Sequence, residues 1–283
     1  MMRIAVLGAG QMGSGIAQVC AAAGHPVVLR DLDPAALERA RATIASSLDR
    51  LLAKAKITEA DRTATLGRIT TATAASALAD ADLVVEAVTE DLEVKRSIFR
   101  ELSATCRPDA ILASNTSSIS LTKLAAVVEH PERVIGMHFM NPVPMMQLVE
   151  VISARQTSPA TRDTVQALAR VLGKVPVDVK NSPGFVANRI LIPMINEAAF
   201  CLYEGLATAE EIDTVMKLGM AHPMGPLALA DLIGIDTVLA IMQVLLDGFA
   251  DPKYRPCPLL VEMVDAGHLG RKSGRGFFTY PAR

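Results

Sequence analysis

The chain has 283 residues, enough to bury one large core or two of ordinary size. Hydrophobic residues make up 51% and charged residues 20%, with a formal net charge of -2. That balance excludes a disordered polyelectrolyte and offers no basic footprint for nucleic acid.

In chain order, residues 3–7 are a short Ile/Val-rich run that leads into glycines, followed by a helix-compatible stretch at 12–23 and a second apolar run at 27–29. This is strand, glycine turn, helix, strand. Pro34 suits a first helical turn, and 35–54 carries charges interleaved with apolar residues at helical spacing. The alternation continues with a strand-like run at 66–69, an Ala-rich helical segment from Thr73, a run at 83–85, a helix at 92–104 and a run at 111–113. Helices between short buried runs imply right-handed crossovers and a largely parallel sheet. From 134 the spacing changes, with strands expected at 134–138 and 146–152 around the turn-rich 141–144, a helix at 160–172 and a run at 175–179. Beyond 183 the pattern turns almost wholly helical, over 185–203, 208–218, 227–246 and 259–264. The expected fold class is therefore α/β: an N-terminal Rossmann-like dinucleotide-binding domain at 1–183 and an all-helical C-terminal domain at 184–283.

Residues 1–8 run straight into glycines with no cleavage-like ending, and read as a strand rather than a secretory leader. Asp231 and Asp236 interrupt the apolar stretch 227–246, which is expected as a buried helix and not a membrane span. Cys20, Cys106, Cys201 and Cys257 are scattered, with no CxxC pair and no histidine at ligand spacing. Free thiols in a reducing cytoplasm are expected, and no metal centre.

Gly8, Gly10 and Gly13 fit GxGxxG between a strand and a helix. The first permits the tight turn, the second leaves room for a pyrophosphate, and the third allows close helix–strand contact. Unsatisfied amides at the helix start favour phosphate, which makes Gly8, Gly10, Gln11, Met12 and Gly13 the candidate cofactor-binding turn. Asp31 closes the second strand, 21 residues after Gly10, where a carboxylate accepts from an adenosine ribose and repels a 2′-phosphate. NAD is the expected cofactor, although Arg30 beside it keeps NADP open.

Hydride removal from a secondary alcohol needs a base for the hydroxyl proton, and histidine suits neutral pH. Of the five histidines, His25 follows Gly24 at a helix end and His130 sits in a loop. His138 ends an apolar run at a sheet end, as a catalytic base or as a satisfied structural histidine. Glu150, on an otherwise apolar strand, needs a partner, either His138 or a strand-edge ion pair. The segment Asn115, Thr116, Ser117, Ser118 either caps the next helix or offers hydrogen bonds to a substrate oxygen or nicotinamide. Asn188 begins an apolar helix, where a buried amide needs a partner, and Arg189 suits a structural ion pair. Arg50, Lys54 and Lys56 form a modest basic patch or an ordinary solvated face.

The stretches VLGAGQMGSGIA, VVEAVTEDLEVK, ILASNTSSIS, GMHFMNPVPMMQLVEVI, NSPGFVANRI and AGHLGRKSGRGFFTY span nearly the whole chain. Together they resemble the 3-hydroxyacyl-CoA dehydrogenase family, in particular its short bacterial members that act on 3-hydroxybutyryl-CoA. The resemblance implies that His138 is the general base, Glu150 orients it, and Ser117 and Asn188 position the substrate's reacting oxygen. It also implies that Asp31, Glu90, Lys95, Asn115, Ser117 and Asn141 hold NAD, that Ser47 and Lys54 contact CoA, and that the helical domain forms a homodimer. The implied partner is an acyl-CoA, with neither nucleic acid nor membrane. Gln147 stands where relatives carry lysine, and Met140 replaces a common aromatic. Two alternatives fit the residues alone: a dehydrogenase of a free short 3-hydroxy acid, which generally relies on a catalytic lysine, and a non-catalytic dinucleotide-binding protein.

Overall fold

A computed structural model of the chain describes residues 1–281. They divide into Met1–Ser182 and a second unit that starts at Pro183.

In the first unit, β1 (Ile4–Leu7), β2 (Val27–Arg30), β3 (Ile69–Ala72), β4 (Leu83–Glu86), β5 (Ile111–Ser114), β6 (Val134–Phe139), β7 (Leu148–Ser153) and β8 (Val175–Lys180) form one sheet in the order β3-β2-β1-β4-β5-β6-β7-β8. Pairing is parallel from β3 through β6, antiparallel between β6 and β7, and parallel between β7 and β8. Only residues 140–147 join β6 to β7, too few for the crossover that a parallel return requires, so the chain doubles back. Every residue of β1, β4, β5 and β6 is buried, which is why these strands read as apolar runs instead of alternating patterns. β8 lies at the sheet edge and accommodates Pro176, as an edge strand allows.

Six helices accompany the sheet: α1 (Gln11–Ala22), α2 (Pro34–Ala53), α3 (Glu59–Gly67), α4 (Leu92–Thr105), α5 (Leu121–Ala125) and α6 (Pro159–Val171). Asp33 caps α2 by accepting from the Ala35 amide, with Pro34 in the first turn. The core under α1 and α2 gathers Val6, Ile16, Leu29, Ile44, Leu48 and Leu83.

Two expectations for this unit are corrected. The strand expected at 66–69 begins at Ile69, because α3 occupies the residues before it, started by a reciprocal capping box between Thr58 and Asp61. The Ala-rich segment from Thr73 forms only a short 3-10 turn at Ala75–Leu78, within the ten residues that separate β3 from β4. Alanine's helix propensity alone does not stabilise a helix of so few residues.

The second unit contains α7 (Ala187–Tyr203), α8 (Ala209–Gly219), α9 (Pro226–Ile233), α10 (Ile235–Phe249) and α11 (Pro258–Asp265). Ile192, Ile195, Val238, Met242, Leu245 and Leu260 form its core. The single helix expected over 227–246 is instead α9 and α10, bent by 98° at Gly234, whose φ of +105° is incompatible with a continuing helix. Asp231 is buried here for a local reason: its carboxylate accepts from the Phe277 and Phe278 amides and the Tyr280 hydroxyl, tying the C-terminal segment to α9. Arg189 lies over the Phe249 ring, 4.4 Å from its centroid, and not in the expected ion pair. Among the described residues no single helix is long and apolar enough to cross a membrane.

Candidate active site

The strand order reverses between β1 and β4, and ligands of open α/β sheets bind outside the strand carboxyl ends at that point. β1 enters the turn at Gly8, whose φ is +102° and where a Cβ would stand 2.6 Å from the Ala87 carbonyl oxygen. A Cβ on Gly13 would overlap the Gly8 carbonyl, so turn and helix meet backbone to backbone. Gly10 differs, because a Cβ there would meet nothing within 4 Å. Its bare backbone is not demanded by internal packing, and it leaves an open cradle at the start of α1. The first-turn amides of that helix have no intrahelical acceptor, which is the donor set a pyrophosphate needs. Asp31 is held against the same turn, accepting from Ala9 at 2.7 Å and from Asp33 at 3.0 Å. These residues fit a dinucleotide.

Beyond the turn, β4 and β5 end on a buried polar cluster. Glu86 accepts from Lys95 Nζ at 2.5 Å, from Ser114 at 2.6 Å and from the Val88 amide at 2.7 Å. Glu86 and Lys95 are 0% and 1% exposed, a buried ion pair whose remaining bonding capacity is met by these neighbours. Lys95 also lies 3.4 Å from Glu90, which receives the hydroxyls and amides of the 116–118 loop. Burial works against the Glu90 charge, but Lys95 and these donors outweigh it and hold the carboxyl below its usual range. Asn115 accepts from the Phe139 amide at 2.9 Å, locking the end of β5 to the end of β6. α5 has Ser120 at its N-cap position, so capping is not the task of Ser117.

His138 and Glu150 are directly paired across β6 and β7. Facing residues of an antiparallel pair project from the same side of the sheet. Nδ1 of His138 lies 2.7 Å from Glu150 Oε2, and both side chains are buried. A carboxylate on Nδ1 keeps the proton there in the neutral ring and leaves Nε2 as the basic nitrogen. The connection just after His138 carries Asn141, whose Oδ1 accepts from Gln11 at 3.1 Å. Lys174 is a residue that sequence reasoning missed. Its Nζ donates to the carbonyls of Val143 and Met146, pinning that connection from below. The only sequence signal was a lysine just past a helix-ending glycine.

Ser47, within α2, and Lys54, its C-cap residue, lie about 10 Å apart along the helix axis, two turns apart on one side. Lys54 is exposed and Ser47 half-buried. His25 is buried and accepts from the Met2 amide, which assigns it to structure. Asn188 belongs to the second unit, in the first turn of α7. A groove of about 610 Å³ bordered by α1, α2, α3 and the 144–147 turn includes none of these catalytic candidates. Cys20, Cys106, Cys201 and Cys257 are free, and burial raises the Cys20 thiol to about 12, far from reactive. Among the described residues no three His, Cys, Asp or Glu side chains are placed to hold a metal.

Residues 3–182 match the 3-hydroxyacyl-CoA dehydrogenase NAD binding domain, and residues 184–280 match the C-terminal domain of the same family. A probable 3-hydroxybutyryl-CoA dehydrogenase of Bacillus subtilis is 54% identical over 98% of this chain and 97% of its own length. The 3-hydroxybutyryl-CoA dehydrogenase of Bradyrhizobium diazoefficiens is also 54% identical, over 98% of this chain and 95% of its own. The crystal structure of (S)-3-hydroxybutyryl-CoA dehydrogenase from Ralstonia eutropha superposes with a TM-score of 0.96 at 56% identity, covering 100% of both chains. With a glycine turn shaped for a dinucleotide and a buried histidine–carboxylate pair at neighbouring strand ends, the chain belongs to the 3-hydroxyacyl-CoA dehydrogenase family.

Proposed function

We propose that this protein interconverts L-3-hydroxyacyl-CoA and 3-oxoacyl-CoA thioesters, 3-hydroxybutyryl-CoA among them, with NAD as the redox partner. The observation that carries the reading is the 2.7 Å contact between His138 Nδ1 and Glu150 across β6 and β7, whose connection reaches the start of α1 through Asn141 and Gln11. The nicotinamide, when bound, supplies hydride transfer to and from C3 of the substrate. Nε2 of His138 accepts the C3 hydroxyl proton as the carbinol carbon loses its hydrogen as hydride and its C–O bond becomes a carbonyl. In the other direction the imidazolium returns that proton to the developing alkoxide, and Glu150 stabilises the cation while holding the ring in place.

The remaining roles belong to the same proposal. Gly8, Gly10, Gln11, Met12 and Gly13 take the pyrophosphate and Asp31 the adenosine ribose. Asn141 would stand beside the nicotinamide, and Asn115, Ser117, Glu90 and Lys95 would help hold the NAD. Ser117 and Asn188 steady the C3 oxygen, and Ser47 with Lys54 meets the CoA moiety. The second unit contributes to substrate binding and to a homodimer, and the reducing cytoplasm suits the four free cysteines.

Assigning the substrate to the thioester class makes one experiment decisive. NADH oxidation is followed with acetoacetyl-CoA, with longer 3-oxoacyl-CoA thioesters and with unesterified acetoacetate, and NADPH is run in parallel. The expected result is turnover of the thioesters with NADH at least about tenfold above that of the free acid. Equal or faster reduction of acetoacetate sinks the CoA assignment, and NADH binding without turnover on any thioester makes the chain a binding protein.

A further inference from the structure

The connection between β6 and β7 is held from two sides by residues outside the histidine–carboxylate pair. On one side α1 presents Gly15, where a Cβ would stand 2.8 Å from Val143 Cβ, so the connection lies against the helix that opens at the glycine turn. On the other, Lys174 Nζ donates to the Val143 carbonyl at 2.6 Å and to the Met146 carbonyl at 2.8 Å. Between those two carbonyls the chain turns, and the Met145 and Met146 amides both donate to the Pro142 carbonyl, at 2.9 and 3.0 Å. Just upstream, Asn141 accepts from Gln11 of the glycine turn.

Lys174 owes its placement to the end of α6. Gly173 takes a φ of +71°, its amide donates to Arg170, and the Lys174 amide donates to Ala169, the paired bonds of a Schellman ending. The Val175 amide then donates to Gln147 as β8 begins. Helix and sheet thus fix the Lys174 backbone, and its side chain spans to the connection. The side chain is buried, burial lowers its pKa, and no carboxylate among the described residues opposes that effect. A buried cation without a counter-ion is costly to fold. Both bonds that its ammonium makes go to the connection.

We infer that Lys174 is the positioning residue of the β6–β7 connection, and that by clamping the Val143 and Met146 carbonyls it sets where Asn141 stands at the nicotinamide end of the dinucleotide site. The inference rests on the NAD-linked dehydrogenase reading for the role of Asn141. His138 and Glu150 do not need this clamp, since strand register sets their contact. The connection does, because residues 140–147 lie outside the strands and have no ladder to hold them. Without the ammonium the two carbonyls lose its bonds, the turn loosens and Asn141 shifts against Gln11. The glycines that cradle the pyrophosphate are untouched. Lys174 therefore acts on one end of the dinucleotide and not on the other, a division that a merely stabilising residue would not produce.

The test compares wild type with Lys174→Met, which keeps the length of the side chain and removes its donors. Titration calorimetry gives dissociation constants for NADH and for ADP-ribose, which lacks the nicotinamide, and kcat is measured with acetoacetyl-CoA and NADH. Expected are a fall in kcat of about 10- to 100-fold and a loss of about fivefold in NADH affinity, with ADP-ribose affinity within about twofold of wild type. A ratio of the two affinities that stays at the wild-type value overturns the inference, and so does an unchanged kcat. Hydrogen exchange at the Met145 and Met146 amides reads the clamp without any ligand: faster exchange in Lys174→Met is expected, and unchanged protection contradicts it. A wild-type protein inert toward every thioester defeats the functional reading alone, because the affinity ratio and the exchange measurement still decide the positioning claim. Should Lys174→Met not fold, Lys174→Gln keeps a shorter donor in place, and kcat is expected to fall about three- to tenfold with ADP-ribose affinity unchanged. An unaltered kcat in that variant contradicts the inference.

Discussion

Glu90 shows at the scale of one residue why chemistry and stability are hard to separate in this site. Its carboxyl is held below the ordinary value of 4.5, so the stability it contributes is full above that pH and is lost as pH falls through the lowered folded value. The expected outcome is that the melting-temperature gap between wild type and Glu90→Gln is constant near neutrality and closes as pH falls below about 4.5. A gap that stays constant into the acid range contradicts this account of Glu90. The sequence made His138 and Glu150 visible as a histidine at a strand end and a lone acid in an apolar strand. It left both residues with structural alternatives, because their contact depends on register, which brings position 138 opposite position 150. A slip of one residue would have sent the two side chains to opposite faces. The gathering of the 116–118 loop by Glu90 had no signal at all, since it joins residues 26 to 28 positions apart through tertiary placement.

Elements were most legible where their pattern was local. The apolar runs at β1, β4, β5 and β6 and the turn after β1 could be read directly, because full burial and a glycine motif leave marks in neighbouring residues. α3 and the break between α9 and α10 were harder. A nine-residue helix gives too few turns for its period to stand out, and Gly234 within an apolar stretch looks like a tolerated glycine until its positive φ is seen. The glycine turn makes a contrast that can be measured. Gly13→Ala forces a methyl against the Gly8 carbonyl, and is expected to lower the melting temperature by several degrees along with NADH affinity. Gly10→Ala places its methyl in open space, and is expected to leave stability within about 0.5 kcal/mol while NADH affinity falls about tenfold or more. Calorimetry with NADH titration checks both. Loss of stability in Gly10→Ala with unchanged affinity would refute its assignment to the pyrophosphate.

For the whole molecule, the change of pattern beyond 183 anticipated a helical second half, and the chain divides between Ser182 and Pro183. What the pattern could not supply was the reason for apolar residues left at the surface. Leu206, Val215, Leu218 and Met220 of the second unit are 68%, 61%, 83% and 62% exposed, more than a monomer ordinarily leaves clustered in one stretch. A homodimer through this unit is the proposed explanation. Light scattering at micromolar concentration is expected to give twice the chain mass for wild type, and a Val215→Glu/Leu218→Glu variant is expected to shift toward monomer with its helicity retained. A monomeric wild type ends the dimer proposal. The central claim is that this chain moves a proton through a histidine held by a carboxylate beside a bound dinucleotide. Its most direct test is the turnover of acetoacetyl-CoA by His138→Gln at saturating NADH, compared with wild type. The expected result is a fall in kcat of about 10²- to 10⁴-fold with the melting temperature and NADH affinity preserved. A His138→Gln enzyme that keeps wild-type kcat contradicts it.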